Sequence, residues 1–173
     1  IILLSTNRNV KKLLKQAIKY KVKNVIIENE KKFIDNKYLF HKKNIKAYHG
    51  LKNIKKIIKK KTDYCVNSIS GINGLKPTLD TIPLTKNILI ANKESIICGW
   101  NLIQNKLKKY KTNFIPIDSE HFSIFSLIKD ISSKNIDRIY ITASGGPFLN
   151  LPKSKFNKIS LKEALKHPTW KMG

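Results

Sequence analysis

Short apolar runs alternate with stretches of helical periodicity along almost the whole chain, and this alternation limits the fold more than any other feature. Residues 1–4 are an apolar run, after which Val10, Leu13, Leu14, Ala17 and Ile18 recur at helical spacing behind Asn9 as N-cap. The same reading predicts strands at 25–27, 45–48, 64–66, 88–91, 114–117 and 136–143. Helices are predicted at 30–40, around Leu51, Ile54, Ile57 and Ile58, and at 95–110, 122–128 and 160–165. In the 95–110 helix, Ile96, Ile97, Trp100, Ile103 and Leu107 are expected on one side. Residues 71–82 read as a turn and short helix containing Pro77, and 144–157 as a loop. Strands that alternate with helices build βαβ units, so the expectation is an α/β fold with a mostly parallel sheet.

The 173 residues suit one domain, or one domain and part of another, and 41% hydrophobic content is enough for a core. No apolar run approaches the roughly 18 residues of a membrane-spanning helix. The sequence opens within an apolar run and without Met, and reads as a fragment. Cys65 and Cys98 have neither metal spacing nor a disulfide framework. Both read as buried free thiols, which fits a reducing, cytoplasmic-type compartment. The net charge of +24 invites a nucleic-acid reading. However, all but two of the 35 basic residues are lysine, the exceptions being Arg8 and Arg138. Arginine is the side chain suited to bidentate phosphate and guanine recognition, so the lysines read as solvated helix faces and no specific nucleic-acid partner is expected.

Open α/β sheets bind ligands beyond the carboxyl ends of their strands. Four of the predicted strands run into polar clusters: 5–9 (Ser-Thr-Asn-Arg-Asn), 92–94 (Asn-Lys-Glu), 118–121 (Asp-Ser-Glu-His) and 144–147 (Ser-Gly-Gly-Pro). In extended backbone Asp118 and Glu120 would point the same way, about 6–7 Å apart at Cα, and two such carboxylates can share a hard divalent cation. They read equally well as a helix start, with Asp118 or Ser119 as N-cap and Glu120 in the first turn. Arg8 between Asn7 and Asn9 suits the extra phosphate of NADPH if the first strand occupies the second position of a dinucleotide fold, and is otherwise a surface arginine near a helix start. Lys93 and Glu94 are either a surface ion pair or a cation aimed at a phosphorylated substrate. His167 and Trp170 are either part of a lid or a loop anchor.

In their order, these motifs resemble the 1-deoxy-D-xylulose 5-phosphate reductoisomerase family. The resemblance rests on residues 92–95 (Asn-Lys-Glu-Ser), 116–121 (Pro-Ile-Asp-Ser-Glu-His), 144–148 (Ser-Gly-Gly-Pro-Phe) and 167–173 (His-Pro-Thr-Trp-Lys-Met-Gly), supported by 71–78 (Gly-Ile-Asn-Gly-Leu-Lys-Pro-Thr). It implies a Rossmann-like, mostly parallel sheet with helices on both faces over residues 1–117, and the start of an α+β catalytic domain over 118–173. Asn7, Arg8, Asn9, Asn92, Glu94 and Gly173 would bind NADPH. Lys93, Ser119, Glu120, Ser144 and His167 would bind the phosphorylated substrate. Asp118 and Glu120 would hold Mg²⁺ or Mn²⁺, and Lys93, Asp118, Glu120 and His167 would act in catalysis. Where the family commonly has a basic residue after Gly-Gly-Pro-Phe, this chain has Leu149. The family's Gly-rich loop, third metal carboxylate and Asn-Lys phosphate pair are not matched and are expected outside these residues.

The implied reaction rearranges and reduces 1-deoxy-D-xylulose 5-phosphate to 2-C-methyl-D-erythritol 4-phosphate in non-mevalonate isoprenoid synthesis. All-oxygen ligation suits a hard ion acting as Lewis acid. The full-length enzyme is expected to be a homodimer without a membrane partner, and the 173-residue chain alone to be inactive. Two other readings are a different NADP-dependent oxidoreductase and a lysine-rich nucleic-acid-binding α/β domain. Steeply salt-dependent binding would mark the latter.

Overall fold

The computed structural model describes residues 1–141 and 145–166. It divides into two compact units, Ile1–Phe122 and Ser123–Gly173.

The first unit opens with strand β1 (Leu3–Thr6), helix α1 (Val10–Lys19), strand β2 (Asn24–Ile27), helix α2 (Glu30–His41) and strand β3 (Lys46–His49). The strands form a parallel sheet in the order β1-β2-β3, with Leu4 opposite Val25 and Val25 opposite Ala47. Asn9 and Asn29 cap the two helices, accepting backbone N–H bonds from Lys12 and Lys32 at 3.2 and 2.9 Å. Val10, Leu13 and Ala17 of α1 and Phe40 of α2 bury against Val25 and Ile27 of β2. Ile26 points to the opposite face and is fully buried as well, so the central strand is covered on both sides.

A 3₁₀ turn (Leu51–Asn53) and the short helix α3 (Ile54–Ile57) lead to strand β4 (Thr62–Asn67). Helix α4 (Leu75–Thr81), strand β5 (Thr85–Ile90), helix α5 (Lys93–Tyr110), strand β6 (Asn113–Pro116) and helix α6 (Ser119–Ile128) follow. These strands form a second parallel sheet in the order β4-β5-β6. Its core is Ile82, Ile88, Ile90 and Ile103, with Leu75, Leu79, Ile96, Trp100, Leu107 and Phe114 packed around them. Burial of each such isoleucine contributes roughly 1.5–3 kcal/mol. The parallel strands and their flanking helices make an α/β fold, as the alternation predicts, and its Rossmann-like character is the one the family resemblance implies.

Three details differ from the sequence reading. Ile97 is 78% exposed, because it sits about 100° around α5 from Ile96, which packs with Trp100, Ile103 and Leu107 on the core stripe. Cys98 is exposed for the same reason, whereas Cys65 is partly buried. Residues 136–141, read as the start of a strand, pair with no strand among the described residues, and Ile139, Tyr140 and Ile141 are exposed. An apolar run becomes a strand only where a neighbouring strand takes up its backbone hydrogen bonds.

The second unit contains 3₁₀ turns at Ser133–Asn135, Gly146–Phe148 and Lys153–Lys158, and the short helix α7 (Leu161–Ala164). A reciprocal cap starts α7: the Ser160 N–H donates to Glu163 at 2.8 Å, and the Glu163 N–H donates to Ser160 Oγ at 3.3 Å. None of its described residues is buried. Among the described residues no helix is long and apolar enough to cross a membrane.

Candidate functional site

The carboxyl end of the second sheet gathers three polar segments. The ladder runs one residue past the strands: the Ala91 N–H donates to Asn67 O at 3.0 Å and the Ile117 N–H to Ile90 O at 3.1 Å. Residues 68–70, 92–94 and 118–120 therefore leave from one edge, as the parallel register requires.

Asn92 begins the central segment. Its Oδ1 accepts the Ser95 N–H at 2.7 Å, which caps α5, and its Nδ2 donates to Gly71 O at 2.7 Å and to Ile69 O. The side chain is 3% exposed and fully occupied within the fold. Lys93 and Glu94 follow on the first turn of α5, both exposed. This anchoring of Asn92 to the 69–71 carbonyls is not visible in the sequence. Its only signal there is the Gly-rich stretch 71–74.

Asp118 and Glu120 occupy the start of α6, so the helix-start reading holds and the extended-strand one does not. Asp118 Oδ1 accepts the His121 N–H at 3.1 Å and lies 2.5 Å from His121 Nδ1. Its side chain keeps only 15% of its exposure, against 56% for His121. Partial burial pushes the Asp118 carboxyl up, but the His121 hydrogen bonds outweigh it and hold the group below its ordinary value. Glu120 is also held down, first by its own backbone N–H and then by the Ser119 hydroxyl, 3.0 Å from Oε2. Asp118 pushes Glu120 up through charge, and Lys93 pulls it down. Both carboxylates are ionised at neutral pH, and their oxygens are the donors a hard divalent cation takes. Among the described residues no group of three or more His, Cys, Asp or Glu side chains is gathered to hold a metal. Magnesium often binds through one or two carboxylates and retains water, so the pair fits such an ion.

Asn7, Arg8 and Asn9 lie at the carboxyl end of β1, in the first sheet. Asn7 O accepts the Asn29 N–H at 3.2 Å, Arg8 O accepts the Val10 N–H at 2.9 Å, and Asn9 caps α1. All three are exposed, and no ion pair among the described residues involves Arg8. Ser144, His167, Trp170 and Gly173 lie outside the described residues. Within the second unit, Phe148, Leu151, Lys155, Lys158, Glu163 and Lys166 help line a concavity of about 460 Å³. Leu149 is 69% exposed.

A family profile described as 1-deoxy-D-xylulose 5-phosphate reductoisomerase matches residues 1–99, and one for that enzyme's C-terminal domain matches residues 114–173. A 1-deoxy-D-xylulose 5-phosphate reductoisomerase of Pelagibacter ubique is 54% identical over 99% of this chain and 45% of its own length. One from Sulfurihydrogenibium is 39% identical over 99% of this chain and 43% of its length. The chain thus spans less than half the length of these relatives. Among solved structures, the Zymomonas mobilis reductoisomerase in complex with NADPH superposes with a TM-score of 0.85, at 31% identity, over 96% of this chain and 44% of that one. A reductoisomerase in complex with NADPH, fosmidomycin and magnesium superposes with a TM-score of 0.74, at 29% identity, over 100% of this chain and 45% of that one. On the match over residues 1–99, the chain belongs to the 1-deoxy-D-xylulose 5-phosphate reductoisomerase family.

Proposed function

We propose that this chain supplies the NADPH-binding unit and part of the active site for rearrangement and reduction of 1-deoxy-D-xylulose 5-phosphate to 2-C-methyl-D-erythritol 4-phosphate, a step of non-mevalonate isoprenoid synthesis. The observation that carries the reading is that the segments bearing Lys93, Asp118 and Glu120 leave one edge of the second sheet, within a chain of this family. Residues 1–117 are assigned to cofactor binding and 118–173 to the start of the catalytic domain.

Asp118 and Glu120 are the residues that would hold Mg²⁺ or Mn²⁺, which when bound would supply Lewis-acid polarisation of the substrate's oxygens. The solved relatives with bound magnesium and NADPH support this choice. His121 keeps Asp118 ionised and oriented, and Ser119 does the same for Glu120. Lys93 offers its ammonium to the substrate beside these carboxylates. Arg8, flanked by Asn7 and Asn9, offers a guanidinium to the cofactor's 2′-phosphate. Asn92 is bound inward, so its contribution to the cofactor is the placement of Glu94 and the start of α5. Ser144, His167 and Gly173 are assigned to substrate, substrate and cofactor by family resemblance. A cytoplasmic homodimer without specific nucleic-acid binding is the assembly proposed for the complete enzyme.

The test supplies the remaining length from a relative. A chimera in which this chain replaces the matching segment of the Pelagibacter ubique protein should oxidise NADPH only with deoxyxylulose phosphate and Mg²⁺ or Mn²⁺, and should yield a branched polyol phosphate. An unrearranged, simply reduced product would favour another NADP-dependent oxidoreductase.

A further inference from the structure

We propose that Asn67 and Thr78 are positioning residues, whose buried hydrogen-bond network fixes residues 68–74 and thereby the Asn92 cap that sets Lys93 and Glu94. The functional part of this inference rests on the reading of the α5 start given above. Asn67 ends β4 and is 5% exposed, and Thr78, on α4, is fully buried. Asn67 Nδ2 donates to Gly74 O at 2.9 Å and to Thr78 Oγ1 at 2.5 Å. Thr78 Oγ1 donates in turn to Gly74 O at 2.9 Å. On its other side, Asn67 Oδ1 accepts the Ile69 N–H at 3.0 Å. Ile69 is therefore gripped twice: its N–H by Asn67 and its carbonyl by Asn92.

The packing leaves no slack at the centre of this network. A Cβ on Gly74 would lie 2.8 Å from Ile69 O and 3.0 Å from Ser95 Oγ, and would collide with the Asn92 amide. Gly74 has an ordinary φ of −75°, so space and not conformation demands glycine there. Gly71, whose carbonyl is the other anchor of Asn92, has φ +70°, the region that favours glycine. An apolar pair in place of Asn67 and Thr78 would fill the same volume but would not orient the carbonyls that Asn92 needs. Hydrogen bonds buried in a low-dielectric interior hold direction as well as distance. The chain of bonds runs from Thr78 through Asn67 and Ile69 to Asn92 and the Ser95 N–H, the first turn of the helix that carries Lys93.

Thr78→Val keeps the side chain's shape and removes its hydroxyl, whereas Thr78→Ser keeps the hydroxyl. In the 173-residue chain, Thr78→Val and Asn67→Ala should speed exchange of the Ile69 and Ser95 amides by about tenfold or more, with the Ile103 amide unchanged and Thr78→Ser like the parent. In the Pelagibacter chimera, Thr78→Val should raise the KM for NADPH about tenfold while kcat changes less than about threefold, and Thr78→Ser should restore it. A merely structural role would speed exchange along all of α5 and leave KM unaltered in the folded enzyme. Unchanged Ser95 protection in Thr78→Val would overturn the proposal, and that pair of variants decides even if Asn67→Ala fails to fold. A parent chimera without turnover would count against the enzymatic reading alone, since the exchange experiment reads the network independently.

Discussion

The Nδ1 atom of His121 lies 2.5 Å from Oδ1 of Asp118, and the same oxygen accepts the His121 backbone N–H at 3.1 Å. One carboxylate oxygen thus does two jobs, capping the start of α6 and orienting a ring. The charge and the cap can be separated by substitution. Asparagine caps helices about as well as aspartate, so Asp118→Asn should leave the urea midpoint of the chain nearly unchanged. Asp118→Ala should cost about 0.5–2 kcal/mol through loss of the cap. Equal destabilisation by both would show that the charge, not the cap, matters to the fold.

The second-sheet core predicts a sharp contrast within one helix. Ile103 is fully buried and Ile97 is 78% exposed, six residues before it on α5. Ile103→Ala should lose about 2–5 kcal/mol, and Ile97→Ala should stay within about 0.5 kcal/mol, measured by denaturant unfolding.

Asp63 and Lys86 join β4 to β5 across 2.8 Å at the surface. The Lys86 hydrogen bond, then its charge, holds the Asp63 carboxyl below its ordinary value, and Asp63 holds the Lys86 ammonium above its own. The stabilising contribution of Asp63 is therefore present above its unfolded value and lost as pH falls through the folded one. That of Lys86 is present below its unfolded value and lost as pH rises through the folded one. The small stability difference between the parent and Lys86→Met should accordingly appear at neutral pH, vanish at both extremes, and shrink in high salt. A difference that persists in strong acid would contradict the assignment.

The two thiols should react at different rates. Burial pushes the Cys65 thiol up, only partly offset by a hydrogen bond with Thr81, while Cys98 is exposed. Iodoacetamide should label Cys98 first and Cys65 slowly, as read by peptide mass mapping. Faster labelling of Cys65 would place it at the surface.

The sequence showed the strands and helices wherever an apolar run or a helical stripe was strong, as at Ile88 and Ile90 of β5 or Val10, Leu13 and Ala17 of α1. It did not show which residues at the margin of a stripe face water, because Ile97 and Cys98 differ from their packed neighbours only in angle around α5. It overstated residues 136–141, since hydrophobicity does not reveal whether a partner strand is at hand. The polar ends of β5 and β6 were legible because a parallel register sends successive strand ends to one edge. The inward use of Asn92 was not, since it depends on carbonyls of Ile69 and Gly71, more than twenty residues earlier in the chain. The choice between strand and helix start at Asp118 also needed the backbone, since both readings use the same residues.

Asp118 and Glu120, at the polar end of β6, are the pair proposed to hold a divalent cation. Paramagnetic broadening by Mn²⁺ in amide spectra of the 173-residue chain tests that assignment most directly. Broadening should be confined to the amides around Lys93 and Ser119 to His121, competed away by Mg²⁺ and absent when Asp118→Asn and Glu120→Gln are combined. Broadening centred elsewhere, or undiminished in that double variant, would contradict the assignment.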